Sequence, residues 1–249
     1  MKTLDILGTK VHAVSFKKAL HAAEEFLYDG KQHYIVTPNP EIVLEARKSK
    51  SYQAILNRAD LSLPDGAGIV WASRILHGGA RALQERIAGV DFMTRFLSYR
   101  FFGSSKTYLP HKILLLGGGP GIARKAAAVF QRKFPHLTFY AIENIKNKHL
   151  FFLVNHILQP DCIFVALGAP AQERWIARNL RKFQNVRLAM GVGGAFDMIS
   201  RRIPRAPSYM RVFGLEWLWR FIMEPRRAVR IFRAAVIFPF FVFVKKFRS

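Results

Sequence analysis

Residues 59–73 read Ala-Asp-Leu-Ser-Leu-Pro-Asp-Gly-Ala-Gly-Ile-Val-Trp-Ala-Ser. An apolar run closes at Leu63, Pro64 stiffens the exit, and Asp65-Gly66 turns the chain into an apolar-periodic segment, Ile69 to Leu76. That succession predicts a strand, a tight turn and a helix start, with one carboxylate at the tip. In open parallel α/β sheets, ligands bind outside the carboxyl ends of the strands, so Asp65 would face a crevice. Pro-Asp-Gly is also ordinary turn chemistry, and alone the stretch supports that plainer reading equally. A second strand end just upstream, HYIVTPNP at 33–40, puts Thr37 and Asn39 in an equivalent position and favours the crevice.

The same alternation continues on both sides. Leu4 to Ile6 and Val11 to Val14 read as a small β entry, Phe16 to Tyr28 as an amphipathic helix, and Glu41 to Asn57 as one further helix. Gln84 to Asp91 is a loop, followed by an apolar helix from Phe92 to Phe102 and a polar break at Gly103 to Thr107. Strands are expected at Lys112–Leu116, Leu137–Ile142, Asp161–Leu167 and Val186–Met190. Helices between and after them fall at Ile122–Phe134, His149–Leu158, Gln172–Phe183 and just past Gly194. Repeated β and α units of this length predict an α/β fold, a Rossmann-like doubly wound parallel sheet over residues 1–200.

Four more segments carry candidate chemistry. Gly117 to Gly121 (GGGPG) puts Gly118 and Gly119 where backbone N–H groups could meet a phosphate at a helix start. It does not complete a nicotinamide fingerprint, because Ile122 stands where the third glycine belongs, although Glu143 could imitate the ribose-binding acid. GAPAQE at 168–173 places Gln172 and Glu173 in the first turn of a helix, where capping is the plainer role. GVGGAFD at 191–197 combines close backbone approach at Gly193 and Gly194 with Asp197 as a hydroxyl partner, or is simply a tight turn. Arg86, beside Glu85, could grip a phosphate or sit in a solvated surface pair.

Across 249 residues, 39 Lys/Arg face 16 Asp/Glu, a net charge of +23 that implies an anionic partner. Residues 201–249 hold 12 of those cations against 2 acids, interleaved with Phe213, Trp217, Trp219, Phe232 and Phe240. Such mixing suits a membrane interface better than nucleic acid, which calls for a basic face with aromatics set for stacking. The apolar run Ala234 to Val244 is interrupted by Pro239 and falls short of the ~20 residues that span a bilayer. The tail is therefore expected to lie on a membrane, or to pack on the chain's own core, as a basic, aromatic-rich helical appendage. The lone Cys162 lies in an apolar run and reads as a buried inert thiol. No apolar leader precedes residue 16, which points to the cytoplasm.

TPNPE at 37–41, LPDGAGIVWA at 63–72, ERIAGVDFM at 85–93, GGGPG, GAPAQE, GVGGAFD and RAPSYMRVFGLEWLWRFIMEPRR at 205–227 together resemble the WecG/TagA/CpsF glycosyltransferases. The resemblance implies an inverting, metal-independent transferase of bacterial cell-surface polysaccharide synthesis, working without a cofactor. It would move N-acetylmannosamine or its uronic acid from a UDP donor to a polyprenyl-diphosphate-linked sugar. A UDP-glucose-dependent exopolysaccharide enzyme of the same family is the alternative. By the same resemblance Asp65 is the base, Thr37 and Asn39 bind substrate beside it, and Arg86 and Gln172 contact the donor. Asp197 would hold a ribose or sugar hydroxyl, and Arg211, Arg220 and Arg227 of the tail would close over the site. Relatives often carry a Gly-Tyr-Phe-like loop where this chain reads Glu143-Asn144-Ile145-Lys146, which leaves Tyr140 as the candidate to stack on uracil.

The residues agree with that chemistry. Inverting transfer needs a base for the acceptor hydroxyl and positive charge or N–H dipoles for the departing diphosphate. No Asp-x-Asp occurs, and the eight histidines form no ligand-spaced pair with acids, so arginines and backbone N–H groups are expected to hold the diphosphate. The expected location is the cytoplasmic face of the inner membrane, held peripherally, and a homo-oligomer is left open. On this reading, ending the chain after Arg233 would weaken lipid binding and spare turnover on a soluble acceptor.

Overall fold

In the computed structural model, which describes residues 1–98, 112–143, 149–223 and 228–248, the chain opens with an antiparallel hairpin. Its strands are β1 (Thr3–Ile6) and β2 (Thr9–His12). Helix α1 (Phe16–Tyr28) starts on Ser15, whose hydroxyl accepts from the Lys18 N–H, and buries Ala19, Leu20, Ala23 and Leu27 along one face. β3 (His33–Val36) leads to Asn39, which caps α2 (Pro40–Lys48) by accepting from the Ile42 N–H at 3.0 Å. The single helix expected over 41–57 is broken at Ser49. Its extended backbone ends α2, and its hydroxyl caps α3 (Lys50–Asn57) by accepting from the Tyr52 N–H. Serine competes for backbone groups in this way, which is why it favours helix ends over helix interiors.

β4 (Leu61–Ser62) is short, and α4 (Ala67–His77) follows the Asp65 turn as expected. α5 (Gly89–Ser98) begins at Gly89 rather than Phe92; the expected continuation to Phe102 and the break at 103–107 lie outside the described residues. Next come β5 (Lys112–Gly117), α6 (Ile122–Lys133) and β6 (Thr138–Ile142). α7 (Leu150–Phe152) widens into a π-helical turn at Leu153–Leu158 before β7 (Cys162–Ala166). α8 (Ala171–Asn179) tightens at Leu180–Lys182 and precedes β8 (Leu188–Gly191) and α9 (Ala195–Ile199). The tail forms α10 (Ser208–Val212), α11 (Glu216–Met223) and α12 (Ala228–Phe247).

Six strands make one parallel sheet in the order β4-β3-β8-β7-β5-β6. The chain winds outward from β3 to β4 on one side and from β5 to β6 on the other, then fills the middle with β7 and β8. Strands buried on both faces read as continuous apolar runs, as Ile113–Leu116 and Ile163–Val165 do. One face packs Phe92, Phe130, Phe164 and Phe196; the other packs Leu114, Val165, Ile176 and Phe183. Cys162 is buried in the first of these clusters, and burial pushes its thiol pKa up, in keeping with an inert role.

The tail packs on the body along one face. Phe238 and Val242 of α12 are fully buried in a cluster with Leu4, Ile6, Val11, Val43 and Ile69, and Lys245 pairs with Asp5 of the hairpin. Trp71 meets Phe243 edge-on at 5.6 Å. The core-packing alternative therefore holds for this face of the helix. The opposite face exposes Val229, Phe232, Val236 and Phe240. Among the described residues no helix is long and apolar enough to cross a membrane.

Candidate active site

Three chain segments are tied side by side at the carboxyl ends of β3 and β4. The Leu63 N–H donates to Val36 O at 2.9 Å, the Asp65 N–H to Pro38 O at 3.0 Å, and the Ile87 N–H to Pro64 O at 2.9 Å. These bonds hold Thr37, Asn39, Asp65 and Arg86 in one neighbourhood, although Arg86 follows its own loop. Close backbone packing helps. A side chain on Gly68 would press a Cβ to 2.7 Å from the Pro40 ring, so α4 and α2 meet only because residue 68 is glycine. Gly214, at φ +72°, lets the turn between α10 and α11 lie on Ala67, where a Cβ would fall at 2.7 Å.

Thr37, Asn39, Asp65 and Arg86 all line a cavity of about 360 Å³. Gly194 and Met198 close it from the β8 side, Trp71 from α4, and Glu216 and Trp217 from α11. Its remaining wall is α12, through Ile231, Ala234, Ala235, Phe238 and Pro239. Because Asn39 Oδ1 already caps α2, what Asn39 offers a ligand is its Nδ2 amide. α4 and α5 begin at this cavity, so their first N–H groups and positive ends are directed to it. A carboxylate, a hydroxyl, an amide and a guanidinium around one space can deprotonate a hydroxyl and stabilise a developing anion.

Arg86 is engaged. Its Nη2 donates to Glu216 Oε2 at 2.6 Å, and its Nη1 approaches Arg211 O at 3.5 Å. Arg86 also borders a second cavity of about 410 Å³, shared with Asp91, Ser208 and Arg211. There the buried Arg211 Nε lacks a hydrogen-bond partner among the described residues. Arg205 donates to Asp91 at 2.5 Å. Burial acts to lower its pKa, but the Asp91 hydrogen bond and the charges of Asp91, Glu216 and Asp65 outweigh that and hold it above the ordinary value. Sequence reasoning took Arg211 from the tail and passed over Arg205, Glu216 and Trp217 of the same motif. Trp71 also lines the cavity without having been singled out, and its place in LPDGAGIVWA was the available signal.

Gln172 and Glu173 were expected to touch substrate, and the structure buries both among protein groups, neither of them lining the main cavity. Glu173 is wholly buried, so contact with substrate is corrected to contact with protein. Its carboxylate accepts from Tyr52 Oη at 3.0 Å and from Gln172 Nε2 at 2.7 Å. Gln172 Oε1 in turn accepts from the Gly193 N–H at 2.9 Å, which ties this buried chain to the turn after β8. Burial raises the Glu173 pKa, and burial followed by the Glu173 charge raises that of Tyr52.

Gly118, Gly119 and Asp197 form a separate locus. Arg202 pairs with Asp197 at 3.3 Å and lies over Gly119, so these groups face each other rather than the main cavity. Glu143 meets the start of α6. Hydrogen bonds from the Gly121 and Arg124 N–H groups, the former larger, hold its carboxyl below the usual range and engage it at the start of that helix. Tyr140 sits mid-strand in β6 and packs on the Leu114 cluster, away from the strand ends, so it is not placed to stack on a base in the main cavity. The Arg220 side chain and Arg227 lie outside the description. Two histidines pair with acids away from this cavity: His33 lies between Asp29 and Asp60 at the amino end of β3, and His21 contacts Glu24. No cluster of three or more His, Cys, Asp or Glu placed to hold a metal occurs among the described residues.

The pattern of the glycosyl transferase WecG/TagA/CpsF family matches residues 4–249. A Bacillus spizizenii (strain W23) protein named N-acetylglucosaminyldiphosphoundecaprenol N-acetyl-beta-D-mannosaminyltransferase is 33% identical over 209 residues, covering 83% of this chain and 77% of the relative. A Staphylococcus aureus (strain MW2) protein of the same name is 28% identical over 233 residues, covering 92% and 87%. With the match running over nearly its whole length, the chain belongs to the WecG/TagA/CpsF family and is a glycosyltransferase.

Proposed function

We propose that this glycosyltransferase moves N-acetylmannosamine, or its uronic acid, from a UDP donor to a lipid-diphosphate-linked N-acetylglucosamine, with inversion and without a metal. The observation that carries the reading is the convergence of Asp65, Thr37, Asn39 and Arg86 on one cavity, in a chain similar to transferases named for that acceptor. In the reaction, the acceptor hydroxyl oxygen attacks the anomeric carbon as the bond to the diphosphate breaks. Asp65 takes the hydroxyl proton, and UDP leaves with the bonding pair. Arg86, the N–H groups at the start of α4 and the tail arginines meet the charge that develops on it. Thr37 and the Asn39 amide orient the sugars, and the Gly193–Gly194 turn, fixed through Gln172, shapes the floor. The exposed apolar side of α12 and the basic residues around it hold the enzyme at the cytoplasmic membrane surface, where a lipid-bound acceptor presents its sugar.

The test offers UDP-N-acetylmannosamine, its uronic acid and UDP-glucose in turn with a lipid-diphosphate N-acetylglucosamine, in excess EDTA, and identifies the product by mass and anomeric configuration. The reading expects one mannosamine-type donor to be used, with inversion and with turnover unchanged by the chelator. Glucose as the sole sugar transferred, or activity abolished by EDTA and restored by Mg²⁺, would overturn it.

A further inference from the structure

The cavity is more apolar than a sugar diphosphate needs. Thr37, Asn39 and Asp65 stand at the ends of β3 and β4 with Arg86 and Glu216 beside them, while Ile231, Ala234, Ala235, Phe238 and Pro239 of α12 add a wall of carbon. A wall of that kind leaves a sugar's hydroxyls without partners and matches hydrocarbon instead. The helix also supplies a way out. At about 100° per residue, Ile231, Phe238 and Val242 fall within roughly 20° of one buried line, Ala235 lies about 40° round from it and Pro239 about 80°. Continuing in the same sense, Phe232, Phe243 and Val236 follow at roughly 100°, 120° and 140°, on the exposed apolar side. The two residues on the flank are small, and Ala235 both lines the cavity and is open to solvent. Ala235 and Pro239 thus join the cavity wall to the exposed apolar side of the helix through carbon surface.

We propose that this flank of α12 seats the first isoprene units of the acceptor's lipid and leads the rest of the chain out to the bilayer. The inference rests on the lipid-diphosphate reading of the acceptor and adds a recognition element to it. The diphosphate lies toward Arg86 and the carbohydrate toward Asp65. The isoprenoid runs along α12, so that the enzyme reads the lipid near the diphosphate as well as the sugar. Membrane attachment alone makes no such demand, since any long chain would then serve.

The test uses the full chain and N-acetylglucosamine diphosphates bearing one, two, three or four isoprene units, with straight alkyl chains of matched carbon number beside them. All are kept below their aggregation concentration and free of vesicles, so that bilayer partition contributes nothing. Burying the first units should lower the acceptor KM about tenfold per unit before it levels off, while the donor KM stays constant. Ala235→Trp, which fills the flank, should return the KM of the longer acceptors to that of the shortest, whereas Ala235→Ser should keep the length dependence. An acceptor KM independent of isoprene number in the wild-type chain, or Ala235→Trp acting on the donor KM instead, overturns the seat alone. Failure to transfer to every acceptor in the series overturns the parent reading along with it.

Discussion

Glu216 stands where an anionic substrate would want no acid. It holds Arg86 at 2.6 Å inside the cavity, with both side chains largely shielded, and so competes with a diphosphate for the same guanidinium. Glu216→Gln should tighten UDP binding by about three- to tenfold, measured by calorimetry; weaker binding would mean that Glu216 presents Arg86 rather than blocking it. Asp65 makes the sharper case. Asp65→Asn keeps the turn and should cut turnover by about two to four orders of magnitude with UDP affinity nearly unchanged, and activity within threefold of wild type would remove Asp65 from the mechanism. At this scale the sequence was readable where chemistry follows a strand end, as for Thr37, Asn39 and Asp65. Glu216 lies 130 positions from Arg86, and no local pattern announces such a pairing.

Between elements, the Tyr52–Glu173 bond clasps α3 to α8 and, through Gln172, reaches the Gly193 turn. Glu173 has a pKa raised by burial, so the folded state holds its proton more tightly than the unfolded chain does. The stability this contributes is complete below the ordinary glutamate pKa of about 4.3 and is lost as pH climbs through the raised folded value. Melting temperatures of wild type and Glu173→Gln should therefore diverge with pH: wild type loses stability relative to the variant from about pH 4.3 upward. A constant difference from pH 4 to 8 would show that Glu173 does not change protonation between the two states. Element types were legible because periodicity reports which face is buried, and α1 falls where its pattern placed it. The break at Ser49 was not, because apolar spacing runs on through it and only the hydroxyl's choice of backbone partner divides the helix. The substrate role given to Glu173 failed for a similar reason: an acid in a helix's first turn looks the same whether it faces solvent or a buried tyrosine.

The molecule as a whole is closed by its tail. Ending the chain after Arg233 removes Phe238 and Val242 from the cluster they share with the hairpin, along with most of the α12 wall. Losing one buried Phe typically costs about 3–5 kcal/mol, so the truncated chain should melt lower and lose turnover even on a soluble acceptor. Full activity on that acceptor would return α12 to the status of an anchor, as the sequence alone had it. The exposed side is a separate matter. Replacing Phe232 and Phe240 with Ser should weaken sedimentation with anionic vesicles several-fold and leave the melting temperature within a degree or two, since neither is buried. Unchanged sedimentation would place the membrane contact elsewhere.

The union of the β1–β2 hairpin with α12 also sets an order of events during biosynthesis. The hairpin leaves the ribosome ahead of the sheet, and its partner helix is made after every strand of the sheet. At about 5–20 residues per second, the growing chain spends many seconds with Leu4, Ile6, Val11 and Ile69 lacking the cover that Phe238 and Val242 later supply. The nascent protein thus carries a sticky, unfinished face until translation of this helix is over, and a chaperone that binds apolar surface would find its opening there.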